Sequence, residues 1–178
     1  MSRNTSLTKN EILELLQLLD GELAKTGVIG ELHLVGGAVM CLVLEARPAT
    51  KDLDAYFRPT QEIRDAAARI ARSRDLPDDW LNDAVKGFLG EKGDWSLFLE
   101  LDHLHVYVAT PEYLLALKAA AMRIGEGFQD EEDVRYLLRY LNIRNYEQAL
   151  EIITSYIDLR SLPQKTLYAL EEMLEPMK

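Results

Sequence analysis

An α+β fold is expected from this chain, with a small mixed β-sheet flanked by helices and a helical bundle after it. Three observations predict it. Segments with helical and strand periodicity alternate over the first 109 residues, only helical patterns follow, and glycine, proline or capping residues separate them. Elements in that order bury their apolar faces most simply as helices layered on one sheet. The expected organisation is an α/β core over residues 1–110 and a helical part over 111–178 packed on it as one compact unit.

Thr8-Lys9-Asn10-Glu11 has the pattern of a capping box, and Ile12, Leu15, Leu16, Leu19 and Leu23 then recur at three- and four-residue steps. Gly27 and Gly30 end that helix. Glu31 to Val35 reads as a strand with Leu32 and Leu34 on one face and His33 on the other. Gly36-Gly37 breaks it, a buried helix is expected over Ala38 to Ala46, and Arg47-Pro48 should stop that helix. Asp52 to Phe57 reads as a second strand, with Thr60 capping a helix to about Ser73. Asp75 to Asp78 is a loop, and Trp80 opens an irregular segment reaching about Gly90. Trp95–Leu101 and Leu104–Ala109 form a hairpin about Asp102-His103.

Thr110-Pro111 starts a helix to about Ile124, Asp130 caps another to about Leu141, and Asn145 caps a third to about Ile157. The last opens at Pro163. Trp80 and Trp95 are expected in the core or along a cleft wall, and Tyr136, Tyr140 and Tyr146 as packing for the helical half.

The bulk properties narrow the function. With 178 residues, 48% hydrophobic and 28% charged, the chain can bury a sizeable core and is not a disordered one. A formal net charge of −10 disfavours general binding to DNA or RNA backbones, while leaving room for a local basic patch. One cysteine, Cys41, in an apolar run rules out a disulfide framework within the chain and suggests a reducing compartment. No apolar run reaches the roughly 18 residues that span a bilayer, and the polar start lacks a leader pattern, so a cytoplasmic protein with no membrane partner is expected.

Two motifs carry chemistry. A glycine pair between a strand and a helix lets the backbone approach a ligand without a Cβ in the way, and a helix start suits phosphate oxygens. Alone, a glycine pair before a helix is more often a packing or turn device. Asp52 and Asp54, two apart on a strand, point to one face, and two carboxylates held together invite a divalent cation.

Together these motifs resemble the nucleotidyltransferase superfamily pattern of a hydrophobic residue, Gly-Gly, a helix, then Asp-hydrophobic-Asp. The segments Arg47-x-x-Thr50-Lys51-Asp52-Leu53-Asp54, Asp79-Trp80-Leu81-Asn82 and Pro111-Glu112-Tyr113-Leu114-Leu115-Ala116-Leu117-Lys118 look like a bacterial branch similar to the abortive-infection AbiEii-type toxins. The likeness spans roughly residues 30 to 140.

It implies a nucleotidyltransferase fold and transfer of an NMP group from an NTP, with Mg²⁺ or Mn²⁺, to an RNA or protein hydroxyl. The setting it implies is a toxin–antitoxin or phage-defence system, with a cognate antitoxin as partner. It also implies Asp52 and Asp54 as metal ligands, Gly36, Gly37, Thr50 and Lys51 on the nucleotide, and Lys118 and Asp133 as active-site residues.

Asp130 also fits the downstream acidic element, and fits equally as a helix cap. Arg123 is expected to pair with one of these acids. The superfamily's third carboxylate would be Glu100, taken to share a strand face with Phe98 and Asp102. His33 is expected to pack or hydrogen-bond within the sheet, and Cys41, His103 and His105 are not expected to do chemistry. The alternative is a catalytically silent nucleotide- or protein-binding module of the same fold, such as an antitoxin or scaffold.

Overall fold

The computed structural model describes residues 6–83 and 92–175 and shows a mixed α/β protein with seven α-helices among them. The chain divides into two compact units, Met1–Gly87 with Trp95–Ala109, and Phe88–Asp94 with Thr110–Lys178.

The first unit begins with β1 (Leu7–Thr8) and α1 (Lys9–Thr26). The capping box forms in full: Thr8 Oγ1 accepts the Glu11 N–H and the Glu11 carboxylate accepts the Thr8 N–H. Gly27, at φ 67°, closes the helix in the left-handed region. There follow β2 (Gly30–Val35), α2 (Gly36–Leu42), β3 (Ala49–Thr50), β4 (Leu53–Arg58), α3 (Thr60–Arg74), β5 (Leu81–Asn82), β6 (Trp95–Glu100) and β7 (Leu104–Ala109).

Five strands form a mixed sheet in the order β5-β4-β2-β7-β6. β4 runs antiparallel to β2, β7 parallel to β2, β5 parallel to β4, and β6 antiparallel to β7. One face, carrying Leu32, Leu34, Ala55, Phe57 and Val106, is buried. α1 and α3 pack on each other, α1 reaches β7 and α3 reaches β4, and the apolar residues of both helices are buried. An Arg69–Glu22 ion pair at 2.7 Å ties α3 to α1 at the rim. The other face is half-exposed and carries Asp54, Tyr56, His33 and Tyr107.

Several details differ from the sequence expectation. Helix α2 starts at Gly36 itself and ends at Leu42, well before Pro48, with Glu45 turning the chain at φ 52°. Thr60 is the first helical residue of α3, not its cap. Pro59 holds the extended cap conformation, and Thr60 Oγ1 donates to the Phe57 carbonyl. Beyond Asp83, the segment expected to reach Gly90 lies outside the described residues up to residue 91. β1 and β3 form a separate two-stranded pairing, Leu7 opposite Thr50, which the sequence did not suggest.

The second unit contains α4 (Pro111–Ala120), α5 (Asp130–Tyr140), α6 (Tyr146–Thr154), a 3₁₀ turn at Leu159–Ser161 and α7 (Gln164–Leu174). α4 packs on α5 and α6, and α6 on α7, with Leu137, Ala149, Ile153 and Leu170 fully buried. Thr110 caps α4 with proline at N1, and Asn145 caps α6 through the Gln148 N–H, as their types dictate. α4 ends at Ala120, four residues before Ile124. Gln129, not Asp130, is the cap of α5, and α6 ends at Thr154. Tyr140 is 55% exposed and so does not serve as core packing.

Candidate functional site

The arrangement begins with the loop between α2 and β4. β1 pairs with β3, and Lys9 bonds Glu45 at 2.7 Å, so the start of α1 holds that loop at two points. Thr50 is thereby buried, and its Oγ1 donates to the Asp52 carbonyl at 3.3 Å. The same hydroxyl lies 2.7 Å from where a Cβ on Gly37 would stand, with Arg47 Nη1 at 3.0 Å. Only a glycine lets these groups sit so close to the backbone. Thr50 is thus a buried support for the turn, while Lys51 is exposed.

Gly36 sits at φ 66°, and a Cβ there would stand 3.2 Å from Asp54 Oδ2. The glycine turn and the β4 carboxylate are therefore neighbours, as the pairing of Val35 with Asp54 requires. Asp52 and Asp54 are both half-buried on either side of Leu53, which is fully buried on the opposite face. Burial, followed by the charges of Asp54 and Asp79, pushes the Asp52 carboxyl up to about 6, while Lys51 pulls it down. Two carboxylates and a third acid in each other's field gain from any cation that enters, and oxygen donors of this kind suit Mg²⁺.

This sets a pH dependence. Asp52 ionises near 3.8 in the unfolded chain and near 6 in the folded one. Across that window the folded state binds more protons, so stability falls as pH rises and the loss is complete above it. Discounted for solvent screening of a half-exposed group, Asp52→Asn is expected to gain about 1–2 kcal/mol at about pH 7.5 and almost nothing near pH 4. Urea denaturation at both pH values checks it; an equal gain at both removes the ionisation cost as the cause.

Glu100 does not join this group. Strands β2 and β7 lie between β4 and β6, and Glu100 is level with His105, Glu31 and Arg58, whereas Asp54 is level with Val35. At about 4.8 Å per strand and 3.3 Å per residue, that is on the order of 14 Å across and 13 Å along the sheet. A register shift between Leu97 and Leu99 also breaks the alternation that put Phe98 and Glu100 on one face. The Glu100 side chain is 65% exposed, 3.9 Å from His105. Among the described residues, no three His, Cys, Asp or Glu side chains gather as a metal-holding group.

Sequence reasoning gave no role to two neighbours of the acid pair. Asp79 acts on Asp52 through its charge, and Asn82 stands beside Asp54 where β5 pairs with β4. Both belong to the Asp79-Trp80-Leu81-Asn82 segment that carries part of the family resemblance, but a two-residue strand has no periodicity from which to read their place beside the acids.

In the second unit, Lys118 and Asp133 are brought together. Lys118 Nζ lies 2.6 Å from Asp133 Oδ2, with side chains 14% and 6% exposed. Lys118 is therefore no surface lysine. Arg123 pairs with Asp130 at 2.8 Å, and the same carboxylate accepts the Arg123 backbone N–H, which holds Asp130 below the usual carboxylate range against its partial burial.

The remaining residues are packed. His33 stacks on Tyr107 at 4.8 Å, meets Trp95 edge-on at 4.9 Å, and burial lowers its basicity. Its Nδ1 is buried with no hydrogen-bond partner among the described residues. Trp80 is core, donating Nε1–H to the Ala67 carbonyl at 3.0 Å. Cys41 is buried, which pushes its thiol up and away from reactivity. No helix among the described residues is long and apolar enough to cross a membrane.

The chain matches no protein-family model, no curated protein and no solved structure.

Proposed function

We propose that this protein is a Mg²⁺-dependent nucleotidyltransferase of the nucleotidyltransferase fold, moving an NMP group from an NTP to an RNA or protein hydroxyl with release of pyrophosphate. One observation carries the reading: the Gly36 turn rests against the Asp54 carboxylate, with Asp52 two residues away and electrostatically coupled to it. In this reading the backbone at Gly36-Gly37 admits phosphate oxygens, and Asp52 and Asp54 hold the metal. When bound, the metal supplies charge neutralisation at the transferring phosphoryl group. Arg47 and Thr50 fix the turn. Lys118, which the family resemblance implies as a triphosphate contact, is engaged by Asp133 within the second unit, and the proposal does not depend on it. A toxin–antitoxin or phage-defence setting belongs to the same proposal.

A second reading is favoured by the position of Glu100 and the lack of a three-acid group among the described residues. On that reading the same fold binds a nucleotide or a protein without turnover. The test incubates the protein with each labelled NTP, Mg²⁺ and total cellular RNA or protein. Label transfer that is lost in Asp52→Ala and in Asp54→Ala supports the enzyme. Absent transfer, together with a melting temperature that NTP and Mg²⁺ raise, supports the silent binder. Neither transfer nor a shift in melting temperature defeats both nucleotide readings.

A further inference from the structure

We propose that the second unit carries an anion site of its own, for a phosphomonoester attached to a flat or apolar body. The C-terminal ends of α5 and α7 and the loop after α5 line a half-open hollow of about 420 Å³, within the range of small-molecule sites. Arg135 and Arg139 reach it from one face of α5, and Arg144 from the loop that Asn142 turns at φ 56°. Its apolar wall is formed by Leu138, Ile143 and Met173, the first two buried and the third a pliable thioether that adapts to ring faces.

The three arginines differ from five others in the chain, although Arg72 and Arg160 likewise lack a carboxylate partner among the described residues. Arg58, Arg64, Arg69, Arg74 and Arg123 each pair with a carboxylate at 2.6–2.9 Å. Arg135 and Arg139 have no such partner among the described residues. Arg144 spends only its Nε, on the Asn142 side-chain oxygen at 3.2 Å. In a chain of net charge −10 with 30 acidic residues, three guanidiniums around one hollow without an ion pair are a concentration of unmet positive charge.

Glu175, which also lines the hollow, leaves a net charge of two positive units, which matches a phosphate dianion rather than a carboxylate. Guanidinium forks bind phosphate oxygens bidentately, and a dianion with three terminal oxygens can engage all three. Two sources present this chemistry: a free nucleoside monophosphate, and the 5′-phosphorylated end of a nucleic-acid strand. The site is independent of the acid pair of the first unit.

The test uses adenosine 5′-monophosphate as probe on the full chain, without Mg²⁺, followed by backbone amide NMR and calorimetry. Saturable binding is expected, with shifts confined to the amides of residues 135–144 and 173–175. Adenosine should bind at least about tenfold more weakly, and Arg135→Gln with Arg139→Gln should weaken the monophosphate by about tenfold or more. Both arginines are exposed, so unchanged melting temperatures will show the variant folded.

Asp52→Asn with Asp54→Asn should leave this binding intact, which separates its failure from failure of the nucleotidyltransferase reading. A 5′-phosphorylated oligonucleotide that binds tighter than the mononucleotide assigns the strand end as source; weaker binding assigns the free nucleotide. Equal binding of adenosine and its monophosphate overturns the proposal, as does loss of binding in the aspartate variant or the absence of saturation.

Discussion

Lys118→Met is expected to cost about 3–5 kcal/mol of folding stability, because it removes the ammonium paired with a buried carboxylate. Asp133 is 4% exposed and Lys118 Nζ stands 2.6 Å from its Oδ2, so removing the ammonium leaves negative charge where water reaches poorly. The reverse change, Asp133→Leu, takes from the ammonium its hydrogen-bonded carboxylate and should cost a similar amount. The pair sits where α4 packs on α5, so the loss falls on the docking of those helices. The double variant Lys118→Met with Asp133→Leu should recover much of either loss, since a well-packed apolar pair is often as stable as the ion pair it replaces. Urea denaturation of the three variants decides it. Single-variant losses under about 1 kcal/mol would mean that the pair is solvated and contributes as little as a surface bridge.

How much of this could be read from the sequence depends on the length of each signal. The α1 start was legible because Thr8 and Glu11 each have one job there, and both hydrogen bonds form. Thr110-Pro111 and Asn145 were legible for the same reason. Thr60 and Asp130 were misread because a capping residue type also has other uses. Pro59 takes the cap geometry at α3, and the Asp130 carboxylate is engaged by Arg123.

The two-residue strands β1, β3 and β5 are below the length at which alternation means anything, so the clamp on Thr50 and the neighbours of Asp54 stayed hidden. Glu100 failed on strand order and on one register shift, neither of which a single strand's pattern can reveal. The arginines of α5 stand on an exposed helix face, and only the tertiary placement of the loop at Ile143 and the end of α7 puts a hollow beside them. By contrast, the closeness of Gly36 and Asp54 follows from an antiparallel pairing of two strands that were each legible.

That closeness can be tested as an energy. Gly36→Val is expected to destabilise the protein by about 3 kcal/mol, since left-handed backbone costs an ordinary L residue about 1–2 kcal/mol and a β-branched one more. Gly36→Ala separates the two contributions. Part of its cost is the backbone at φ 66°, and part is a Cβ pressed to 3.2 Å from Asp54 Oδ2. In an Asp54→Ala background the second part disappears while the first remains. The cycle of Gly36→Ala and Asp54→Ala should therefore show a favourable coupling of about 0.5 kcal/mol or more, the size expected of residues in contact. Gly36→Asn should cost least, because asparagine tolerates the left-handed region. Additivity within about 0.3 kcal/mol would mean that the turn does not rest on the carboxylate. The acid pair and the glycine turn would then be two separate features, and the nucleotide reading would lose the contact that joins them.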